Sequence, residues 1–342
     1  MNVKCLSSLS AQQFVVYSCC MGQCYIGTSG FSYRDWQGHF YPPGLDSSEF
    51  LRYYSSYFSF VELNFTYYRQ PQPAVLEKML ANVPESFQFT LKAHRSITHE
   101  RGENWYGAVH QFAQGLLPLT EAGQCGGILL QFPYSFHYTP TNRLYLANVS
   151  NALQEALAAQ NSNSNSNSNS NSNSKPAGIT ASAHNTASKE GVNRPAGKPK
   201  PPTGSSSATP LLVEFRNRDW EQSQVFQEME SRGLGLIVTD HPDLKNLPQT
   251  SNMVTANTAY LRFHGRNKEN WWSGDNVSRY DYLYSSEELT ERLPDVHSMQ
   301  QGSKRLFVAF NNHRKGQAAQ NALLFSELMG HPAEKIYRRK SN

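Results

Sequence analysis

A chain of 342 residues with 38% hydrophobic residues, 18 Tyr and 18 Phe has core material for one large barrel or two small domains. The formal net charge is +4, and the segment 158–210 carries all of it, with Lys175, Lys189, Arg194, Lys198 and Lys200 against Glu190. The near-neutral remainder argues against a nucleic-acid footprint, which needs clustered Lys and Arg on the fold itself.

In chain order, short apolar runs alternate with helical patterns. The first run, Tyr25–Thr28, leads to Ser29-Gly30. A helix over about 47–59 follows, opened by the capping-box pattern Asp46-Ser47-Ser48-Glu49. Its apolar stripe is Phe50, Tyr54, Tyr57 and Phe58. The run ending in Glu62-Leu63-Asn64 precedes a helix that starts near Pro73 with the stripe Val75, Leu76, Met79 and Leu80. The third run stops at Lys92 and the fourth at Gln131. Their helices use Val109, Phe112 and Leu116, then Leu146, Val149, Leu153 and Leu157. The fifth run ends in Glu214-Phe215-Arg216, and its helix carries Val225, Phe226 and Met229 before a Gly233 cap. After the sixth run, ending at Asp240, Pro242, Pro248 and Asn252 predict a link without a helix. The seventh stops at His264, and its helix starts near Ser285. The eighth stops at Asn311, before a helix over about 317–329 that places Ala318, Ala322, Phe325 and Leu328 inward and stops at Gly330.

Eight such units predict an α/β fold, a TIM (β/α)8-type barrel with a closed parallel sheet. Between 158 and 210 the pattern collapses into Asn-Ser repeats and a Lys/Pro/Gly/Ser/Ala mixture. This segment has too little apolar surface to offset the entropy of ordering, so it is read as a disordered insertion. It falls between a helix and the next strand, on the face opposite the strand tips. The expected division is an extension over 1–23, barrel over 24–157 and 211–331, and a basic tail over 332–342. Translation could begin at Met1 or at Met21.

Five cysteines, four of them at or before position 24, make no disulfide framework and point to a reducing, cytoplasmic setting. Cys20 and Cys24 lack the second pair that a metal site requires. No stretch near the start reads as a membrane span or a signal peptide.

The strand tips carry the chemistry. Glu62 with Asn64, Glu214 with Arg216, and Arg262 with His264 each have the period of two that aims both side chains inward. Lys92, Gln131, Asp240 and Asn311 add one group each. A closed parallel barrel gathers such tips at its C-terminal rim, where they form an active site or a salt-bridged plug.

Three chemistries fit the inventory. Glu62, Glu214, Asp240 and His264 could bind a divalent metal, although Lys92, Arg216 and Arg262 would compete for the carboxylates, so a metal is not favoured. Two carboxylates could act as general acid and base on a sugar-like substrate. Alternatively, the cations hold a phosphate or carboxylate while Glu or His moves a proton. The basic loops Gly265-Arg266-Asn267-Lys268 and Asn312-His313-Arg314-Lys315-Gly316 read either as an anion site at a helix start or as solvated surface. Phe31, Tyr33, Trp36, Phe40, Tyr41, Tyr67, Tyr68, Trp271 and Trp272 either wall a pocket or pack loops together, the commoner case. His94, His99 and His137 have no assignable role. Dinucleotide, P-loop and serine-elbow motifs are missing from the sequence.

Several segments resemble the YecE-like family, domain of unknown function 72. They are Ile26-Gly27-Thr28-Ser29-Gly30-Phe31-Ser32-Tyr33, Val61-Glu62-Leu63-Asn64, Phe89-Thr90-Leu91-Lys92-Ala93-His94 and Ile128-Leu129-Leu130-Gln131-Phe132-Pro133. Val213-Glu214-Phe215-Arg216-Asn217, Leu261-Arg262-Phe263-His264-Gly265 and Phe310-Asn311-Asn312 continue the likeness. The resemblance implies a TIM barrel with a rim site that includes Glu62, Asn64, Lys92, Gln131, Glu214, Arg216, Asp240, Arg262, His264 and Asn311. It implies no established reaction. The chain departs from the family in its insertion, its N-terminal extension and Phe65, where a small residue is more usual.

The reading that joins these strands of argument is an enzyme with hydrolase, lyase or isomerase chemistry on a small anionic or carbohydrate-like substrate. Glu62, Glu214, Asp240 and His264 are its expected catalytic groups; Asn64, Lys92, Gln131, Arg216, Arg262 and Asn311 are its expected binding groups. The alternative is a non-catalytic module that binds a nucleotide or a nucleic-acid end. No membrane partner is expected, and the cofactor is left open.

Overall fold

The computed structural model describes residues 21–167, 208–273 and 275–331, apart from the side chains of 161–167, 276 and 277. Eight parallel strands close into a barrel in sequence order: β1 Gln23–Ser29, β2 Phe60–Leu63, β3 Gln88–Lys92, β4 Cys125–Gln131, β5 Leu211–Glu214, β6 Gly235–Asp240, β7 Thr258–Phe263 and β8 Arg305–Phe310. The strands are apolar because both faces are covered, one by the barrel interior and one by helices.

Two apolar layers result. Between strands and helices lies the larger core, which includes Val61, Leu91, Leu130, Val213, Leu261 and Val308 with Leu76, Phe112, Val149, Met229 and Phe325 from the helices. Inside the barrel, Tyr25, Phe60, Leu129, Leu212, Ile237, Tyr260, Phe307 and Ala309 form a separate plug. This inner set fixes the parity of every strand but β3, where the Thr90 hydroxyl meets Tyr260 inside the barrel. Two residues beyond an inward residue, the next inward position is Glu62 on β2, Gln131 on β4, Glu214 on β5, Thr239 on β6 and Arg262 on β7. A register shift between Phe89 and Thr90 against β4 marks an irregularity at Gly126. A Cβ at Gly126 would lie 2.8 Å from the Phe307 ring, so glycine makes room for that ring.

Helix signals read from the sequence hold at several ends. Ser285 and Glu288 form the capping box of helix Ser286–Glu291. Gly233 ends helix Ser223–Arg232 in the left-handed conformation at φ 65°. Pro73 stands in the first turn of helix Pro73–Leu80, and Asp46 caps the turn that follows it. As expected, no helix lies between β6 and β7 among the described residues.

Other expectations need correction. The helix expected over 47–59 is a 3-10 turn followed by only Phe50–Tyr54. Val75 is exposed rather than part of the buried stripe. β1 already begins at Gln23, and Gly22 N–H donates to Gln300 O, so the extension is shorter than expected. The helix before the insertion runs over Pro140–Asn167, past the expected boundary at 158. Residues 168–207 of the expected disordered segment, the first twenty residues and the basic tail lie outside the described residues. Chain resumes at Ala208 and enters β5 at its N-terminal end, so this connection joins the face opposite the rim.

One buried hydroxyl ties β1 to β2. Tyr54 OH accepts from Thr28 N–H at 2.8 Å and donates to Phe60 O at 3.0 Å, with its ring fully buried. Removing it strands a buried donor. Tyr54→Phe is expected to cost about 1–3 kcal/mol in chemical denaturation; a change within error would show that water replaces the hydroxyl.

Candidate active site

The polar rim starts directly above the apolar plug. Ser29 pairs in register with Glu62, and Gln131 with Glu214. Arg262 sits between Thr239 and Ala309 on its neighbouring strands, whose small side chains leave room for a guanidinium to cross the barrel. It uses that room. Arg262 NH2 donates to Glu62 Oε1 at 2.7 Å and to Ser29 Oγ at 3.1 Å, while its NH1 donates to Glu214 Oε2. Tyr260 OH donates to Glu62 Oε2 at 2.9 Å and Ser29 Oγ to Glu62 Oε1 at 2.5 Å. Gln131 Nε2 donates to Glu214 Oε1 at 2.6 Å, and Arg216 Nε reaches the same oxygen at 3.3 Å. Both carboxylates and Arg262 are almost fully buried.

Burial by itself would raise the Glu214 pKa, but Arg262, His264 and Arg216 outweigh it and hold this carboxyl well below the usual range. Glu214 is therefore a fixed anion rather than a proton donor. His264 Nε2 lies 3.3 Å from Glu214 Oε1, and Asn311 Nδ2 is 3.0 Å from His264 Nδ1. With the Asn311 amide donating to Nδ1, the ring proton falls on Nε2, facing the carboxylate. Burial pushes the His264 pKa down to about 3, so the ring is neutral at physiological pH.

Lys92 differs from every other cation in the set. Its Nζ stands 4.2 Å from the centroid of the Tyr67 ring. Among the described residues it has no carboxylate within ion-pairing distance, because Arg262 already occupies both glutamates. Burial, then the nearby Arg216 and Arg262, push its pKa down to about 7.

Above this platform opens a cavity of about 570 Å³, lined by Asn64, Lys92, Gln131, Arg216, Arg262 and Asn311 together with Phe31, Tyr33, Tyr67, Tyr68, Tyr280 and His313. A second cavity, of about 270 Å³, lies on the other side of Arg216 and contains Glu214, His264, Tyr134, Trp271 and Trp272. The aromatics thus divide. Tyr33, Tyr67, Tyr68 and the tryptophans after β7 wall the cavities, whereas Trp36, Phe40 and Tyr41 pack loops together.

Nine of the ten expected residues meet at this mouth; Asp240 does not. β6 directs Thr239 inward, so Asp240 turns outward, accepting from Arg266 at 2.8 and 3.0 Å and from Tyr284 OH at 2.7 Å. It anchors the loop after β7 and is no catalytic group of the rim. The four-residue metal set is thereby broken up. Among the described residues no three His, Cys, Asp or Glu side chains are grouped to hold an ion. The basic loops are likewise engaged: Arg266 pairs with Asp240 and Glu288, and Arg314 with Asp281. Sequence reasoning missed His99 and Tyr280. His99 lines both cavities, and burial and Lys92 depress its pKa to about 4. Tyr280 OH accepts from Arg216 NH2 at 3.0 Å. Neither residue is a strand tip, so no periodicity announced them.

A closed (β/α)8 barrel with a polar cavity at the C-terminal rim has the architecture of a TIM-barrel protein. More narrowly, the chain belongs to the family described as "Protein of unknown function DUF72", whose model matches residues 25–342. It is 27% identical over 321 residues to the UPF0759 protein YunF of Bacillus subtilis (strain 168), covering 89% of this chain and 94% of that one. A crystal structure of a DUF72 family protein (TM1631) from Thermotoga maritima MSB8 is similar at 33% identity and a TM-score of 0.69, covering 90% of this chain and 99% of that one. A second, from Enterococcus faecalis V583 (EF0366), shares the fold at 22% identity and a TM-score of 0.70, over 94% and 100% of the two chains. Among the described residues no helix is long and apolar enough to cross a membrane.

Removing the shared cation should unbalance the platform. Arg262→Met is expected to cost about 3–5 kcal/mol at neutral pH by leaving the buried Glu62 carboxylate without its cation and Glu214 with Arg216 alone. In the wild type, Glu214, held below its ordinary 4.5, contributes stability that is lost as pH falls below that value. The variant lacks the part of that contribution that Arg262 supplies, so the difference between the two proteins shrinks as pH falls. Denaturation of both proteins across acid pH reads both slopes. A pH-independent difference would contradict the pairing scheme.

Proposed function

We propose that this protein is an enzyme that moves a proton on a small anionic or carbohydrate-like substrate, in lyase, isomerase or hydrolase chemistry. Lys92 is the acid–base group, Arg216 orients the anion, and the Glu62–Arg262–Glu214 platform holds both in place. The observation that carries the reading is the Lys92 amine, buried in the rim cavity beside two guanidinium groups without an acidic partner among the described residues, with its pKa brought down to about 7. A group that titrates near the working pH both takes up and releases protons efficiently.

Charge balance supports an anionic ligand. The two buried carboxylates are matched by Arg262 and Arg216, and a protonated Lys92 adds the one excess positive charge. Arg216 retains an exposed quarter of its side chain at the cavity. Glu214 is too acidic to serve as a proton donor, and His264 is neutral, so their role in this scheme is to set the field around Lys92.

Sulfate, whose own charge is constant near neutrality, is the simplest probe. Calorimetry should find binding that weakens as pH rises from about 7, by at most about tenfold per pH unit, as one proton leaves Lys92. Lys92→Met should abolish that pH dependence, and Arg216→Met should weaken binding about tenfold or more. A panel of phosphorylated and carboxylated sugars and oxo acids, followed by mass spectrometry, should then reveal turnover that Lys92→Met lacks. Sulfate binding indifferent to both substitutions, or turnover that survives Lys92→Met, contradicts the reading.

A further inference from the structure

We infer that Lys92 is a covalent as well as an acid–base group: it forms a Schiff base with a carbonyl compound whose carboxylate or phosphate is held by Arg216. The inference deepens the anionic-substrate reading above and rests on it. Three geometric facts support it. Lys92 lines the open cavity of about 570 Å³, as do Arg216 and Asn64. The aromatic face of Tyr67 lies beneath the Lys92 amine at 4.2 Å, a surface that offers no proton acceptor in line with an ion pair. The two carboxylates that would otherwise hold it as an ammonium are taken by Arg262. Among the described lining residues no cysteine offers a competing nucleophile. Burial, together with the neighbouring guanidinium groups, depresses the amine and keeps a free-base fraction at neutral pH.

The step balances without a further reagent. The amine lone pair forms a C–N bond to the carbonyl carbon, and the C=O π pair moves onto oxygen. That oxygen takes the proton released by the new ammonium, giving a carbinolamine. A second proton from solvent at the open rim lets water leave, and the nitrogen lone pair closes the iminium. Lys92 thus gains an electron sink next to the carbon from which a proton or a carbon fragment departs.

Reductive trapping tests this on the full-length protein. Pyruvate, an oxo acid, and dihydroxyacetone phosphate, a phosphorylated ketone, are incubated separately with cyanoborohydride, with acetone as the uncharged control; adducts are mapped by peptide mass spectrometry. At least one anionic probe should label Lys92 at no less than tenfold the level of any other lysine. Acetone should not, excess sulfate should suppress labelling, and Lys92→Met should lose that adduct while keeping its circular dichroism. Whichever probe reacts identifies the anion as carboxylate or phosphate. An unlabelled Lys92, or labelling equal to that of surface lysines, overturns the Schiff base. Where sulfate binding still depends on Lys92 and Arg216, the Schiff base falls alone. Where that dependence also fails, the anionic-substrate reading falls with it.

Discussion

One guanidinium shared by two buried carboxylates governs the chemistry of this barrel. Arg262 spans the interior from β7 to β2 and β5, and both it and the carboxylates it holds are almost fully buried. Buried ions are tolerated only when paired and hydrogen bonded. Ser29, Tyr260 and Gln131 complete the pairing by donating to the two carboxylates. The consequence falls on Lys92. With both acids satisfied, Lys92 is left in the same cavity with cations and an aromatic ring as its neighbours. The ion triad and a lysine without an acidic partner among the described residues are thus two aspects of one charge balance: an apolar layer fills the barrel, and a polar cavity opens above it.

Much of this architecture was legible in the primary structure. Eight apolar runs with helical patterns between them define the barrel, because strands covered on both faces must be apolar throughout. Alternation correctly aimed Glu62, Glu214 and Arg262 inward together with Asn64, Arg216 and His264, since the period of two is a property of the strand backbone. Asp240 shows the limit of the same rule. It ends its strand as Glu214 does, but β6 places Ile237 and Thr239 inward, and a one-residue difference in phase turns a side chain to the opposite face. A terminal acid alone carries no phase; the inner plug supplies it.

What remained hidden depends on contacts between distant elements. His99 reaches both cavities from an irregular turn over Ser96–Glu100, and Tyr280 comes from the long loop after β7. Neither position follows from local periodicity. The loss of a partner for Lys92 was equally hidden, because it requires that Arg262 take both acids first. The pairing of the basic loops was hidden for a similar reason: Arg266 and Arg314 look free in sequence but are matched by Asp240, Glu288 and Asp281 across the fold. Lys92 differs in being buried in the rim cavity with no acidic partner among the described residues.

The central claim is that the fold, not the residue type, sets the proton affinity of Lys92. An NMR titration of its side-chain amine in isotopically labelled protein, assigned with Lys92→Met, measures this directly. A midpoint near the value of about 7 is predicted, and a midpoint near the ordinary 10.5 would contradict the account.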